Sequence, residues 1–234
     1  PDGLSDIQNG MADIEHHMLH FLDNHDEQRL ASPEFAGTPE KGKPLMVVSA
    51  TISTAPTMIY FGQEVGEAGN ENAGFGTHSR TSIFDYIGVP NHQRWMNGGK
   101  FDGGQLSQSE KDLRDFYKRL LNFTINSSAL MGNFQEIQTA NRNITPGYDI
   151  AIYAYTRWSE TQKLIIVTNF YSLASSNFEL RIPADIIQKW NLKDGIYTIT
   201  DQLYHKKTTQ LRVENGEGKA QISIGSSESF IFQL

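Results

Sequence analysis

The last hundred residues of the chain are cut into eight short segments, and nothing else in the sequence constrains the fold as much. They read FQEIQ, DIAIYAYTRW, KLIIVTNF, NFELRI, GIYTITDQL, TTQLRV, KAQISI and SFIFQL. Several alternate apolar and polar residues, as at Phe178, Leu180 and Ile182, which gives a strand one buried face and one solvated face. Asp194-Gly195 and Asn215-Gly216 are turn dipeptides between such segments. A run of this kind makes an antiparallel sandwich or barrel. The chain has no cysteine. A Cys…Trp…Cys immunoglobulin pattern, disulfides and thiolate metal sites are therefore excluded.

Residues 1–131 follow a different pattern. Ile7, Met11 and Ile14 predict a helix over Ile7–Met18. MLHFLD (Met18–Asp23) is a short apolar run suited to a buried strand, and PTMIYFGQE (Pro56–Glu64) reads as a second, closed by Gly62. Between them KPLMVVSATIS (Lys43–Ser53) is apolar nearly throughout, with Pro44 suited to a first helical turn. Strand, helix, strand is the βαβ pattern of a parallel sheet. A long irregular stretch rich in Gly, Asn and aromatics follows. It leads to a clear helix, LSQSEKDLRDFYKRLLNFTI, in which Ser107 and Glu110 form a capping box. Leu113, Phe116, Tyr117, Leu120 and Leu121 make its apolar stripe. Two parallel strands cannot form a closed barrel or a doubly covered sheet. The rest of the sheet is therefore expected upstream of Pro1, as missing strands of the same protein. The expected division is an α/β part over 1–131 and an all-β part over 132–234.

Lys and Arg number 20 against 27 Asp and Glu, for a net charge of -7, and the basic residues are not clustered. That does not suit a phosphate-binding surface, so no nucleic-acid partner is expected. No apolar run approaches the roughly 20 residues of a membrane span. The compartment, extracytoplasmic or cytoplasmic, stays open.

Within FLDNHD, the groups Asn24, His25 and Asp26 come directly after the first apolar run. The carboxyl end of a parallel strand is where α/β folds build their sites. A carboxylate there can stabilise a developing cation or accept hydroxyl hydrogen bonds. An imidazole and a carboxamide add donors and acceptors. The set suits a polyhydroxylated ligand such as a sugar. The bland reading is that Asp26 caps the next turn and His25 is an ordinary loop residue. His16 and His20, with His25, lack a partner at a familiar zinc spacing, so no metal is assigned. Glu64 could face the site, whereas Glu67 and Asp85 read as solvated loop carboxylates. The loop aromatics Phe75, Phe84, Tyr86, Trp95 and Phe101 either stack on sugar rings or anchor the loop. Tyr153, Tyr155 and Trp158 are either core or a second sugar-binding surface.

These residues resemble the α-amylase family of glycoside hydrolases, family 13. FLDNHD resembles its fourth conserved region, F-x-x-N-H-D at the end of barrel strand seven. PTMIYFGQEVGE resembles strand eight with its G-x-E-x-G turn, and RTSIFDY…GVPNHQRWMNGGKFDGG resembles the loop after it in some bacterial members. DLRDFYKRLLNF falls where the last barrel helix belongs, and the all-β tail where the family has its domain C. The resemblance implies an α/β partial TIM barrel (the last two β/α units) followed by an antiparallel Greek-key sandwich. It implies a retaining parent enzyme that cleaves α-1,4-glucosidic bonds in starch or maltooligosaccharides. Asp26 matches the family's transition-state stabiliser, His25 the histidine that hydrogen-bonds the same sugar, and Asn24 the Asn before it. Retaining hydrolysis also needs a nucleophile and a general acid about 5–5.5 Å apart. In the family these lie on strands four and five, which would precede Pro1, as would the inserted domain that commonly holds calcium. The resemblance therefore implies a fragment inactive by itself. It implies no cofactor in this chain and leaves calcium in the intact parent open. The competing reading is a non-catalytic carbohydrate-binding or structural module.

Overall fold

Each of the eight segments forms a strand. They are β1 (Asn133–Glu136), β2 (Ile152–Trp158), β3 (Lys163–Asn169), β4 (Ser176–Ile182), β5 (Gly195–Asp201), β6 (Thr208–Glu214), β7 (Glu217–Ile224) and β8 (Ser229–Gln233). The computed structural model describes residues 1–70, 79–81, 83–84, 87–171, 173–204 and 207–234. Asp85, Phe75 and Tyr86 lie outside the described residues. The chain divides into two compact units, Pro1–His17 with Thr51–Thr54 and Asn122–Leu234, and Met18–Ala50 with Ala55–Leu121.

In the first unit all strand pairs are antiparallel, in the order β1-β2-β3-β8-β5-β6-β7-β4. The expected two-sheet sandwich is thus one curled sheet. β8 pairs with β3 over five residue pairs and then continues to β5 through only two, Thr200↔Gln233 and Asp201↔Phe232. The buried Asp201 carboxylate pins that narrow joint by accepting the backbone N–H groups of Ile231, Leu203 and Tyr204. Residues from both wings, Ile152 and Val167 on one and Phe178, Leu211 and Ile222 on the other, share one core. β4, β6 and β7 alternate buried and exposed as their sequences predict, whereas β2, β3 and β8 are buried on both faces.

The turn between β6 and β7 places Asn215 at φ 52° and Gly216 at φ 77°, the left-handed pair of a tight hairpin. Asp194 does not form a strand-to-strand turn. It follows a helix that sequence patterning does not reveal, α5 (Ala184–Lys189), and accepts the N–H groups of Asn215 and Gly216 at 3.0 and 3.1 Å.

The second buried face of β2 has a specific cover. Tyr153 hydrogen-bonds Ser5 on α1 (Asp2–Gly10), and Tyr155 hydrogen-bonds Thr51. Arg157 donates to the backbone carbonyls of Ile52, Leu130 and Gly132. Tyr153 and Tyr155 are fully buried and present no face to a ligand. Burial pushes the Tyr153 hydroxyl up to about 12 and that of Tyr155 upward as well. Helix α1 departs from expectation by starting at Asp2 and stopping at Gly10, and Ile7 and Ile14 are exposed. Asn9-Gly10 is poor helix sequence and ends it.

In the second unit the two apolar runs do not form strands. They meet in one parallel bridge, His20↔Thr57. In it His20 donates its N–H to Pro56 at 2.9 Å, and Met58 donates to His20 at 2.8 Å. Two parallel segments without further neighbours have little to hold a ladder. Between them α2 (Pro39–Thr51) starts earlier than expected, so Pro39 occupies the first turn and Pro44 the helix interior. Beyond α3 (Pro90–Met96) comes α4 (Gln108–Ile125), whose capping box forms as its sequence predicts. The Ser107 N–H reaches Glu110 at 2.7 Å, and the Glu110 N–H reaches the Ser107 hydroxyl at 3.3 Å. Leu113, Phe116, Tyr117 and Leu120 are its buried stripe. Among the described residues no helix is long and apolar enough to cross a membrane.

Arg157 is a buried cation with three carbonyl partners. Replacing it by Leu strands those acceptors and should cost about 3 kcal/mol or more, read from urea unfolding. Arg157→Lys should recover less than half, because one ammonium cannot reproduce the fork. A loss below about 1 kcal/mol in Arg157→Leu contradicts this role.

Candidate functional site

The segment bearing Asn24, His25 and Asp26 is a turn closed at its base by buried charge. Asp23, the last residue of the apolar run, is fully buried. Its Oδ2 accepts the backbone N–H of Leu30 at 3.2 Å and lies 3.6 Å from the buried Arg29 guanidinium. One carboxylate thus ties the start of the turn to its end. Arg29 is fixed from other sides as well. Its Nε donates to Thr81 at 2.8 Å, and its backbone N–H donates to Ser79 at 2.7 Å. The guanidinium lies over the rings of Tyr60, 4.3 Å from its centroid, and Phe61, at 5.0 Å. Desolvation raises the Asp23 carboxyl and lowers Arg29, and each charge partly offsets the shift of the other.

Residues 24–27 stand outside this clamp. The Asn24 Oδ1 accepts the N–H groups of Asp26 at 2.8 Å and Glu27 at 2.9 Å, so the carboxamide shapes the turn and its NH2 remains as a donor. The His25 Nε2 lies 3.4 Å from the Asp26 Oδ2. The side chains of His25 and Asp26 are 55% and 77% exposed. An acceptor carboxylate and an imidazole side by side, on a turn fixed at both ends, can engage adjacent hydroxyls of one ligand.

Glu67 is not the solvated loop carboxylate its sequence context implies, since it is 2% exposed. It accepts the N–H groups of Asn91 at 2.9 Å and His92 at 3.2 Å in the first turn of α3. Those donors have no partner inside the helix, and the carboxylate supplies one. The preceding turn is shaped by Gly62 and Gly66, at φ 82° and 77°, where side chains are strained. Between them Gln63 is buried and donates to the Tyr117 hydroxyl at 3.1 Å, while Glu64 is half-buried. Arg29 and the structural role of Glu67 escape sequence reasoning, because an Asp and an Arg six residues apart have no signature and the remaining partners, Thr81, Ser79, Asn91 and His92, are remote in sequence. The only local sign is that a second Asp precedes Asn-His-Asp and an Arg follows it. His16 is exposed, and the His20 Nδ1 sits 3.0 Å from the Ser49 carbonyl. Among the described residues no group of three or more His, Asp or Glu could hold a metal ion.

Burial raises the Glu67 carboxyl above its ordinary 4.5, against the pull of the N–H groups of His92 and Asn91 and the charge of Arg29. A carboxyl raised on folding adds stability that is fully present below its unfolded pKa and is lost as pH rises through the folded one. Glu67→Gln keeps an acceptor oxygen without the charge. Its urea midpoint should therefore gain on that of the parent chain over the pH range above about 4.5. A gap that is constant or widens over that range contradicts this.

No protein-family model matches the sequence, and no curated protein matches it significantly. Solved structures do match its fold. An AmyP variant in complex with maltotriose aligns with a TM-score of 0.63 at 20% identity, over 98% of this chain and 44% of that one. A maltogenic α-amylase, AmyB from Thermotoga neapolitana, aligns at 0.60 and 14% identity, over 100% and 47%. A debranching enzyme from Nostoc punctiforme, soaked with acarbose, aligns at 0.59 and 16% identity, over 100% and 38%. The chain spans less than half the length of each. At these identities the likeness is one of fold, and it covers part of each of those enzymes.

Proposed function

We propose that this chain is the C-terminal portion of a retaining glycoside hydrolase of the α-amylase type, acting on α-1,4-glucosidic bonds of starch or maltooligosaccharides. Residues 1–131 are the last two β/α units of a (β/α)8 barrel, and residues 132–234 are its domain C. The observation that carries this reading is the parallel bridge His20↔Thr57 with Asn-His-Asp directly beyond it. Two parallel segments with polar groups just past the carboxyl end of the first are the local arrangement of a barrel's active face. The fold match over nearly the whole chain supports it.

In this reading Asp26 accepts hydrogen bonds from ring hydroxyls of the sugar at the cleavage point, and its charge strengthens those bonds as positive charge develops on the ring. His25 donates to the same sugar. Asn24 holds the turn through its carbonyl and offers its NH2. The nucleophile and the general acid come from outside this chain, which by itself is inactive. Calcium, where the intact enzyme uses it, is held outside this chain too. Asp26→Asn in the intact enzyme should lower kcat by about 10²-fold or more on maltoheptaose. Its melting temperature should hardly change, because the side chain is exposed. Turnover within a factor of about three of the parent removes Asp26 from the chemistry.

A further inference from the structure

Beyond Asp26 the same unit carries a second feature that the proposed chemistry does not use. Phe101 has φ 55°, a left-handed backbone that is sterically costly for a bulky residue, and its side chain is 56% exposed. The surrounding knuckle holds it there. The Phe101 N–H bonds Met96 at 2.9 Å, and the Gly103 N–H bonds Trp95 at 3.0 Å. The Asp102 carboxylate accepts the side-chain amide of Asn97 and the Gly104 N–H, both at 2.8 Å. A protein that needed only a turn would use Gly at position 101. Strain retained to display an exposed ring points to a use for that ring.

The ring also ends a continuous file of aromatic contacts. Arg29 lies over Tyr60, and Tyr60 meets Phe61 at 4.7 Å between centroids. Phe61 meets His92 at 5.0 Å, His92 stacks on Trp95 at 5.6 Å, and Trp95 meets Phe101 at 5.8 Å. Arg114 lies 5.4 Å from the centroid of Trp95. Trp95 is therefore a support, and Phe101 is the open face. The file begins at the cation that clamps the Asn-His-Asp turn.

We infer that Phe101, backed by Trp95, is a stacking platform for an α-1,4-glucan chain at a position separate from the point of cleavage. The inference rests on the α-glucan reading above. One exposed ring with exposed Lys100, Asp102 and Gln105 beside it in the sequence suits a sugar. A pyranose presents an apolar face to the ring and hydroxyls to the polar neighbours, whereas a protein partner needs a much larger apolar area.

The test is calorimetric titration of maltoheptaose into the 234-residue chain and its variants Phe101→Gly and Phe101→Tyr, and of cellohexaose as a β-linked control. The chain should bind maltoheptaose in preference to cellohexaose. Phe101→Gly should weaken binding about tenfold, the loss of one stacking contact. It should melt no lower than the parent chain, because Gly relieves the backbone. Phe101→Tyr should restore binding. Equal binding by Phe101→Gly and the parent chain overturns the platform while leaving Asp26 to be judged by turnover. No binding by the parent chain, or equal binding of cellohexaose, overturns it too.

Discussion

The buried pair Asp23 and Arg29 is the constraint on which the candidate site depends. Placing a carboxylate and a guanidinium where neither reaches water is costly, and such pairs seldom stabilise a fold on balance. What this pair provides is position. Asp23 holds both Arg29 and the Leu30 N–H, so the five residues between Asp23 and Arg29 project as one short loop. Thr81 and the rings of Tyr60 and Phe61 fix the guanidinium from other directions, and the Ser79 carbonyl fixes the Arg29 backbone N–H. The exposed carboxylate of Asp26 is thereby held by a structure that has no other evident reason to bury charge.

A comparable device organises the other unit. On β2 the outward-facing residues 153, 155 and 157 each reach a polar partner, Ser5, Thr51 and the carbonyl of Ile52. The guanidinium of Arg157 meets backbone carbonyls beyond the end of α2 and at the short turn Ser128–Met131. Those carbonyls have no helical partner of their own. The sheet's shared core is apolar and generic; this second face of β2 is polar and specific. It also removes Tyr153 and Tyr155 as ligand-binding surface.

Much of this was legible in the sequence where the determinants are local. All eight strands, the Asn215-Gly216 turn and the capping box at Ser107 follow from period-two alternation and from turn and cap chemistry. What the sequence does not show depends on contacts between remote residues. Phe178 and Leu180 reveal that a face is buried, but not that β8 bridges both wings into one curled sheet. Met18–Asp23 and Pro56–Glu64 have strand composition, yet here they share a single bridge, because ladders need neighbours as well as propensity. Glu67 has the sequence context of a loop carboxylate, and only its partners, the N–H groups at the start of α3, reveal its role. At the candidate site, Asn24, His25 and Asp26 stand out by type and spacing. The clamp beneath them does not, since an Asp and an Arg six residues apart have no signature.

The clamped Asn-His-Asp turn, in a chain whose fold resembles part of α-amylase-type enzymes, underlies the proposal that Asp26 meets the sugar at the point of cleavage. The most direct measurement is a crystal structure of the intact enzyme with an uncleaved maltooligosaccharide bound. The expected result is the Asp26 carboxylate hydrogen-bonded to ring hydroxyls of the sugar that spans the cleavage point, with Asp23 and Arg29 still paired beneath it. An oligosaccharide bound for cleavage elsewhere, with Asp26 facing only solvent, would contradict it.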